Sequence, residues 1–256
     1  MSLSNKIAIV TGGARGIGRG IVLALAKEGA KVAFTYVSQS STIHAESLVR
    51  EVESLGSRAH AIQADSRELS APESIVSETL SIFAATSLDI LVNNAGLGSA
   101  ATLLESVTLE EYNSVMDVNV RAVIFMTQAF IHHVGWGGRI VNLSSISARG
   151  GYATQSVYAA SKAAVEGLTR VWANELGHKY GVTVNAVNPG PVDTDMYRAA
   201  GEVHLARMEE QNKKTPAAPR AGTEGDVADI VLFLCEERSR WVTGDIVCAN
   251  GGMIFI

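Results

Sequence analysis

The sequence predicts an α/β protein, a doubly wound parallel sheet of about seven strands with helices on both faces. Three observations carry this expectation. Short β-rich runs alternate with helical patterns from end to end. The strand runs, "KIAIV" and "DILVN" among them, are near-continuous apolar stretches, the pattern of parallel strands covered on both sides. No low-complexity linker or internal repeat interrupts the 256 residues, a length that one α/β domain commonly reaches.

In order along the chain, strands are expected at 6–10, 31–36, 58–64, 90–93, 139–143, 183–187 and 245–249. Helical patterns fall between them, at 17–29, 42–55, 70–85, 109–133, 157–179 and 226–236. The helix at 157–179 opens with "SVYAASKAAVEGL", rich in small residues and free of proline. The irregular stretch is 189–222, which holds four of the five prolines. Only one helix and one strand follow it, too little for a second core, so the whole of 1–256 reads as one domain. The 189–222 excursion then reads as a loop or lid that sets substrate selectivity.

Composition narrows the function classes. Hydrophobic residues make up 47% of the chain and charged residues 18%, which suits a large core and excludes a disordered or collagen-like chain. The net charge is −5 and no basic cluster stands out, which argues against nucleic acid as a partner. Apolar runs such as those at 7–10 and 230–234 are far too short to span a bilayer. The opening "MSLSNKIAIVTGG" leads straight into a strand without a signal-peptide pattern, so a cytoplasmic location is expected. Cys235 and Cys248 lack metal spacing and read as two buried thiols, with a disulfide between them as the alternative. His132 and His133 have no ligand partners at helical spacing, and no metal site is expected.

After the first strand comes "TGGARGIGRG", running into a helix. A glycine turn at such a junction lets backbone approach a diphosphate, while the helix N-terminus supplies N–H groups and a favourable dipole. The spacing is Gly12-x-x-x-Gly16-x-Gly18, with Ile17 inside it and no G-K-[ST], so a nucleoside-triphosphate loop is disfavoured. NAD sites generally place a carboxylate about 20 residues further on, at the end of the second strand. Here that strand ends with Tyr36, Val37 and Ser38 and no acid, while Arg15 sits in the turn. A cation with hydroxyl donors suits the 2′-phosphate of NADP.

Later segments complete a resemblance. Asn93 to Gly96 form an Asn-Asn-Ala-Gly run, Asn119 lies in "MDVNVRA", and Ser145 stands thirteen residues before Tyr158, with Lys162 four beyond it. Pro189 and Gly190 follow the sixth strand, and Thr194 lies four residues past that glycine. In this order and spacing, with Thr11 to Gly18, these segments resemble the short-chain dehydrogenase/reductase superfamily along the whole chain. Its compact branch is a single-domain Rossmann fold. "NPGPVDTDMY" and "WVTGDIVCANGGM" are most similar to 3-oxoacyl-thioester reductases and to fungal polyketide or naphthol reductases.

The residues themselves explain the chemistry. Reduction of a carbonyl by hydride leaves charge on oxygen, which needs a proton. Tyr158 is the proton donor, and Lys162, one turn away on the same helical face, favours its phenolate form from an ordinary pKa of about 10. Ser145 holds the substrate oxygen. Ser144 is the competing candidate, but strand neighbours face opposite ways and the spacing chooses Ser145. The resemblance implies that Lys162 also holds the nicotinamide ribose and that Asn119 anchors a water, although Asn119 reads equally as a buried structural amide. It further implies adenine contacts from Asp65 and Ser66, ribose contacts from Asn93, Ala95 and Gly96, and carboxamide-side contacts from Pro189, Gly190, Val192 and Thr194. Asp65 also reads as a simple loop-capping acid.

The expectation is an NADP(H)-dependent reductase of a small-molecule ketone or aldehyde. An NAD-linked dehydrogenase working oxidatively and a non-catalytic nucleotide-binding scaffold are the alternatives. An epimerase or dehydratase of the extended branch would need a longer C-terminal region. The resemblance also implies a homotetramer, joined through helices 109–133 and 157–179 and through the last strand with the tail Ile254, Phe255 and Ile256.

Overall fold

A computed structural model describes residues 1–98, 101–199 and 202–255. Seven strands, β1 (Ile7–Val10), β2 (Lys31–Tyr36), β3 (Ala59–Gln63), β4 (Leu88–Asn93), β5 (Val134–Leu143), β6 (Thr183–Pro189) and β7 (Ile246–Ala249), form one sheet. Its order is β3-β2-β1-β4-β5-β6-β7, and every pairing is parallel. Parallel neighbours require crossovers, and helices supply them. The helices are α1 (Gly16–Lys27), α2 (Thr42–Ser54), α3 (Ala71–Phe83), α4 (Leu109–Met116), α5 (Ala122–Ile131), α6 (Ser147–Gly150), α7 (Ser156–Tyr180), α8 (Asp195–Arg198), α9 (Glu202–Asn212) and α10 (Glu224–Cys235).

Both faces of the sheet are buried, and strand alternation divides the core in two. Ala8, Val10, Val32 and Phe34 pack with Ile21, Leu25, Leu48 and Leu234 of α1, α2 and α10. Ile9, Ala33, Leu91 and Ile140 face the other way, onto Ile75, Met126 and Phe130 of α3 and α5. Strand order reverses direction between β1 and β4, so their carboxyl ends open a crevice where such folds bind ligands. α7 stops at Gly181, whose φ of 67° is the left-handed geometry that ends helices.

Four expectations change. β4 and β5 start earlier than the apolar pattern suggests, across a register shift between Leu88 and Ile90. The helix expected at 109–133 is interrupted by a π-turn, Asp117–Arg121, between α4 and α5. The run Leu109–Ile131, 23 residues, contains an 18-residue window of mean hydropathy 1.2 and is long and apolar enough to cross a membrane by length and composition. The reading of contiguous runs alone missed this; here Val115, Val118, Val123, Met126 and Phe130 of that run are buried in the fold. Cys235 is a buried free thiol, but Cys248 is exposed rather than buried, and the two form no disulfide.

The 189–222 excursion contains α8 and α9 and is tied at its base by a bridge between Val192 and Gly222. Ile254 is half-buried and Phe255 exposed, while Ile256 lies outside the described residues.

Candidate active site

The glycine turn leaves β1 at Thr11 and enters α1 at the crevice. Gly12 has φ 64°, a left-handed conformation that favours glycine. A Cβ on Gly18 would stand 2.2 Å from the Gly12 carbonyl oxygen and 2.6 Å from Asn94 Nδ2, so only glycine fits. Asn94 Nδ2 donates to the carbonyls of Thr11 (2.9 Å) and Gly12 (3.0 Å). Thr11 Oγ1 accepts from the backbone N–H groups of Asn94 and Ala95, each at 3.0 Å. Thr11 and Asn94 therefore brace the turn, a role that sequence reading left to the motif as a whole. The cradle is backbone, kept free of side chains at the mouth of a helix, and it fits a dinucleotide diphosphate. Ile17 packs against the apolar layer beneath.

Tyr36 closes β2 half-buried, and Val37 and Ser38 follow it in sequence with no acid. Ser38 is exposed, its hydroxyl paired with those of Ser40 (2.9 Å) and Ser41 (2.8 Å). Asp65 receives the Arg67 backbone N–H at 2.9 Å and its Nε at 3.0 Å, and the guanidinium holds this carboxyl below the usual range. Its carboxylate thus closes a loop turn, as the capping alternative expects. Ser66, Ala95, Thr11 and Val118 line a cavity of about 20 Å³, room for roughly one water. Asn93 Nδ2 donates into the core, to Thr127 Oγ1 (3.0 Å) and Asn142 Oδ1 (2.9 Å).

On α7, Tyr158 and Lys162 share one face. Burial pushes the Tyr158 phenol up and the neighbouring Ser145 hydroxyl draws it partly back, while Ser145 Oγ accepts from Ser147 N–H at 3.1 Å. Lys162 Nζ donates to the Leu143 carbonyl at 2.7 Å and stands 5.8 Å from the Tyr158 ring centre. Burial pushes this ammonium down to about 8. The sequence assigns the tuning of Tyr158 to Lys162, and Ser145 adds a second lowering influence. Ser144 turns the other way, its hydroxyl donating to Glu166 Oε1 at 3.0 Å.

Asn119 sits in the π-turn, almost fully buried. Its Oδ1 accepts from Leu97 N–H (2.8 Å), and its Nδ2 donates to the Leu97 carbonyl (2.9 Å) and Ser161 Oγ (3.0 Å). A Cβ on Gly96 would lie 3.4 Å from both Asn119 Oδ1 and Lys162 Nζ, so these groups converge beside Gly96.

The opposite wall comes from β6. The Pro189 carbonyl accepts from Ile146 N–H at 3.0 Å, and the Gly190 N–H donates to the Ala249 carbonyl at 3.3 Å. Val192 is buried, and Thr194 caps α8 by accepting from Tyr197 N–H at 3.3 Å. A Cβ on Gly16, itself at φ 58°, would come 3.4 Å from the Thr194 methyl, so this wall meets the glycine turn. Arg15, exposed, reaches within 4.0 Å of Asp195 across the same gap. Among the described residues no three His, Cys, Asp or Glu side chains converge as a metal site.

Known proteins are similar to this chain in sequence and fold. A family model described as enoyl-(acyl carrier protein) reductase matches residues 12–254. The short-chain dehydrogenase/reductase FrzI of Cladobotryum sp is 50% identical over 259 residues, covering 100% of this chain and 98% of its own. The hydroxynaphthalene reductase-like protein Arp2 of Metarhizium robertsii is 40% identical over 263 residues, covering 99% and 96%. Among solved structures, a blue fluorescent protein from a metagenomic library, in complex with NADPH, superposes with a TM-score of 0.92 at 43% identity, over 100% of both chains. The chain belongs to the short-chain dehydrogenase/reductase family of nicotinamide-dependent oxidoreductases.

Proposed function

We propose that this chain is an NADPH-dependent oxidoreductase that reduces a ketone or aldehyde to an alcohol, reversibly, with Tyr158 as general acid and base. The observation that carries the reading is Tyr158 and a buried Lys162 side by side on one face of α7, at the end of β5 where Ser145 stands. When bound, the cofactor supplies or accepts the hydride. Ser145 holds the substrate oxygen on the phenol, and Tyr158 gives that oxygen its proton during reduction and takes it back in oxidation. Lys162 holds the nicotinamide ribose hydroxyls, and Asn119 anchors a water that reconnects Lys162 to solvent.

Gly12, Gly16, Ile17 and Gly18 would hold the cofactor's diphosphate, Asp65 and Ser66 its adenine, and Asn93, Ala95 and Gly96 its adenosine ribose. Pro189, Gly190, Val192 and Thr194 hold the carboxamide side. Tyr36 leaves no carboxylate to repel a 2′-phosphate, and Arg15 and Ser38 are exposed where donors to it are needed. The NADPH complex of the metagenomic protein supports this choice. The chain works as one domain in the cytoplasm, as a homotetramer, with 189–222 as the substrate lid.

The test is NADPH consumption against a panel of ketones and aldehydes. The likeness to a hydroxynaphthalene reductase-like protein puts fused-ring aromatic ketones first in it. Tyr158→Phe should fold and bind NADPH but lose turnover by about a hundredfold or more. Wild type should show a lower KM for NADPH than for NADH, and Tyr36→Asp with Arg15→Ala should reverse that order. Turnover near wild type in Tyr158→Phe removes Tyr158 from the chemistry; a wild-type preference for NADH removes the 2′-phosphate site.

A further inference from the structure

Tyr158, Lys162 and Glu166 follow one another at intervals of four along α7, so they share a face. Together they hold three consecutive residues at the end of β5. Lys162 Nζ donates to the Leu143 carbonyl at 2.7 Å, Ser144 Oγ donates to Glu166 Oε1 at 3.0 Å, and the Ser145 hydroxyl neighbours Tyr158 and lowers its phenol. The proposed chemistry uses two of these rungs and leaves Glu166 without a role.

Glu166 is only 4% exposed. A carboxylate in the interior persists only when its lone pairs are filled. Three elements fill them: Ser144 from the end of β5, Asn188 Nδ2 of β6 at 3.1 Å on the same Oε1, and Arg149 Nε of α6 at 2.8 Å on Oε2. Ser144 and Asn188 are themselves buried. The carboxylate therefore joins the segment that carries Ser145, the helix that carries Tyr158, and the strand that leads into Pro189 and Gly190. Because neighbours along an extended chain face opposite ways, a bond that holds Ser144 inward fixes the outward direction of Ser145.

We infer that Glu166 is a positioning residue for the reaction: it holds Ser144 so that the Ser145 hydroxyl stays on Tyr158 and on the substrate oxygen. The inference rests on the reading of Ser145 and Tyr158 as the catalytic pair. It differs from a scaffold role in one respect. A scaffold residue costs stability whatever Ser145 is, whereas a residue that acts through Ser145 has nothing left to position once that hydroxyl is gone.

The experiment measures kcat and KM with NADPH and the best ketone of the panel for Glu166→Gln, Ser144→Ala and Ser145→Ala, and for the first two combined with Ser145→Ala. Glu166→Gln and Ser144→Ala should each lower kcat about tenfold or more, as a displaced catalytic hydroxyl does. KM for NADPH should stay within about twofold, since neither Glu166 nor Ser144 is among the residues proposed to touch the cofactor. Neither substitution should lower kcat further in the Ser145→Ala background. If Glu166→Gln does not fold, Ser144→Ala still reads the same two outcomes, because it keeps the Glu166–Arg149 pair. Unchanged kcat in a folded variant overturns the inference, and so does an equal loss in the Ser145→Ala background. Full turnover in Ser145→Ala overturns the catalytic pair itself, and with it this role for Glu166.

Discussion

Lys162 is a lysine that the fold holds at a cost. It is 5% exposed, and burial brings its pKa from 10.5 down to about 8. The folded state then binds fewer protons than the unfolded chain between those two values, so stability rises with pH across that window. Below pH 8 the cost is fully present, and it amounts to roughly 3 kcal/mol. Replacing Lys162 with methionine removes the charge and keeps the length, at the loss of one bond to the Leu143 carbonyl. Lys162→Met should therefore raise the unfolding midpoint by about 3 °C at pH 7, with little gain near pH 10 and with turnover abolished. Thermal melts at the two pH values decide this; an unchanged or lower midpoint at pH 7 means the ammonium is not held at a cost. A destabilising group kept in this position is what a site asks of its protein. The spacing of Ser145, Tyr158 and Lys162 made that site readable from sequence. The commitments of Asn93 and Asp65 were not readable, because each amide or carboxylate could face the crevice or a neighbour. Thr127 and Asn142 capture the first and Arg67 the second. Glu166 carries no mark at all in "AAVEGL"; its partners come from elements that lie apart in sequence.

At the scale of elements, local signals located most boundaries and tertiary contacts moved the rest. α7 spans Ser156–Tyr180 against an expected 157–179, because small residues start it and Gly181 stops it. β5 begins at Val134 because Val134 pairs with Leu88, drawing "VGWGG", which has little strand propensity, into the sheet. The π-turn has no sequence signature here; Asn119 bonds to Leu97 and Ser161 hold it from outside the helix. The glycine turn is the element most tightly set by contact. Gly18→Ala would force a methyl to within 2.2 Å of the Gly12 carbonyl, so the turn must open. The variant should keep its sheet and helices, as seen by circular dichroism, and lose at least about a hundredfold in NADPH affinity by fluorescence titration, since the diphosphate contacts depend on close backbone approach. Wild-type affinity would mean that the diphosphate does not lie on this turn.

Among the described residues, the exposed apolar side chains include two groups that bear on assembly. Leu109, Tyr112 and Phe125 are exposed along α4 and α5, and Val171 is exposed on α7, which packs beside α4. Trp241, just ahead of β7, and Phe255, beyond it in the tail, are 96% and 85% exposed. Scattered apolar residues on a surface are ordinary, but large clusters of them mark contacts with other chains. Two separate patches suit an assembly with two kinds of two-fold interface, the usual route to a tetramer. The proposed homotetramer places α4, α5 and α7 against their copies in one interface, and β7 with the tail in the other. Light scattering should give four chains per particle. Leu109→Asp with Phe125→Asp should split the particle into dimers by burying carboxylates at the first interface, and removal of residues 253–256 should weaken the second. A wild-type monomer at micromolar concentration would leave both patches to some other purpose. A tetramer that persists unchanged in the Leu109 and Phe125 variant would place the first interface on another face.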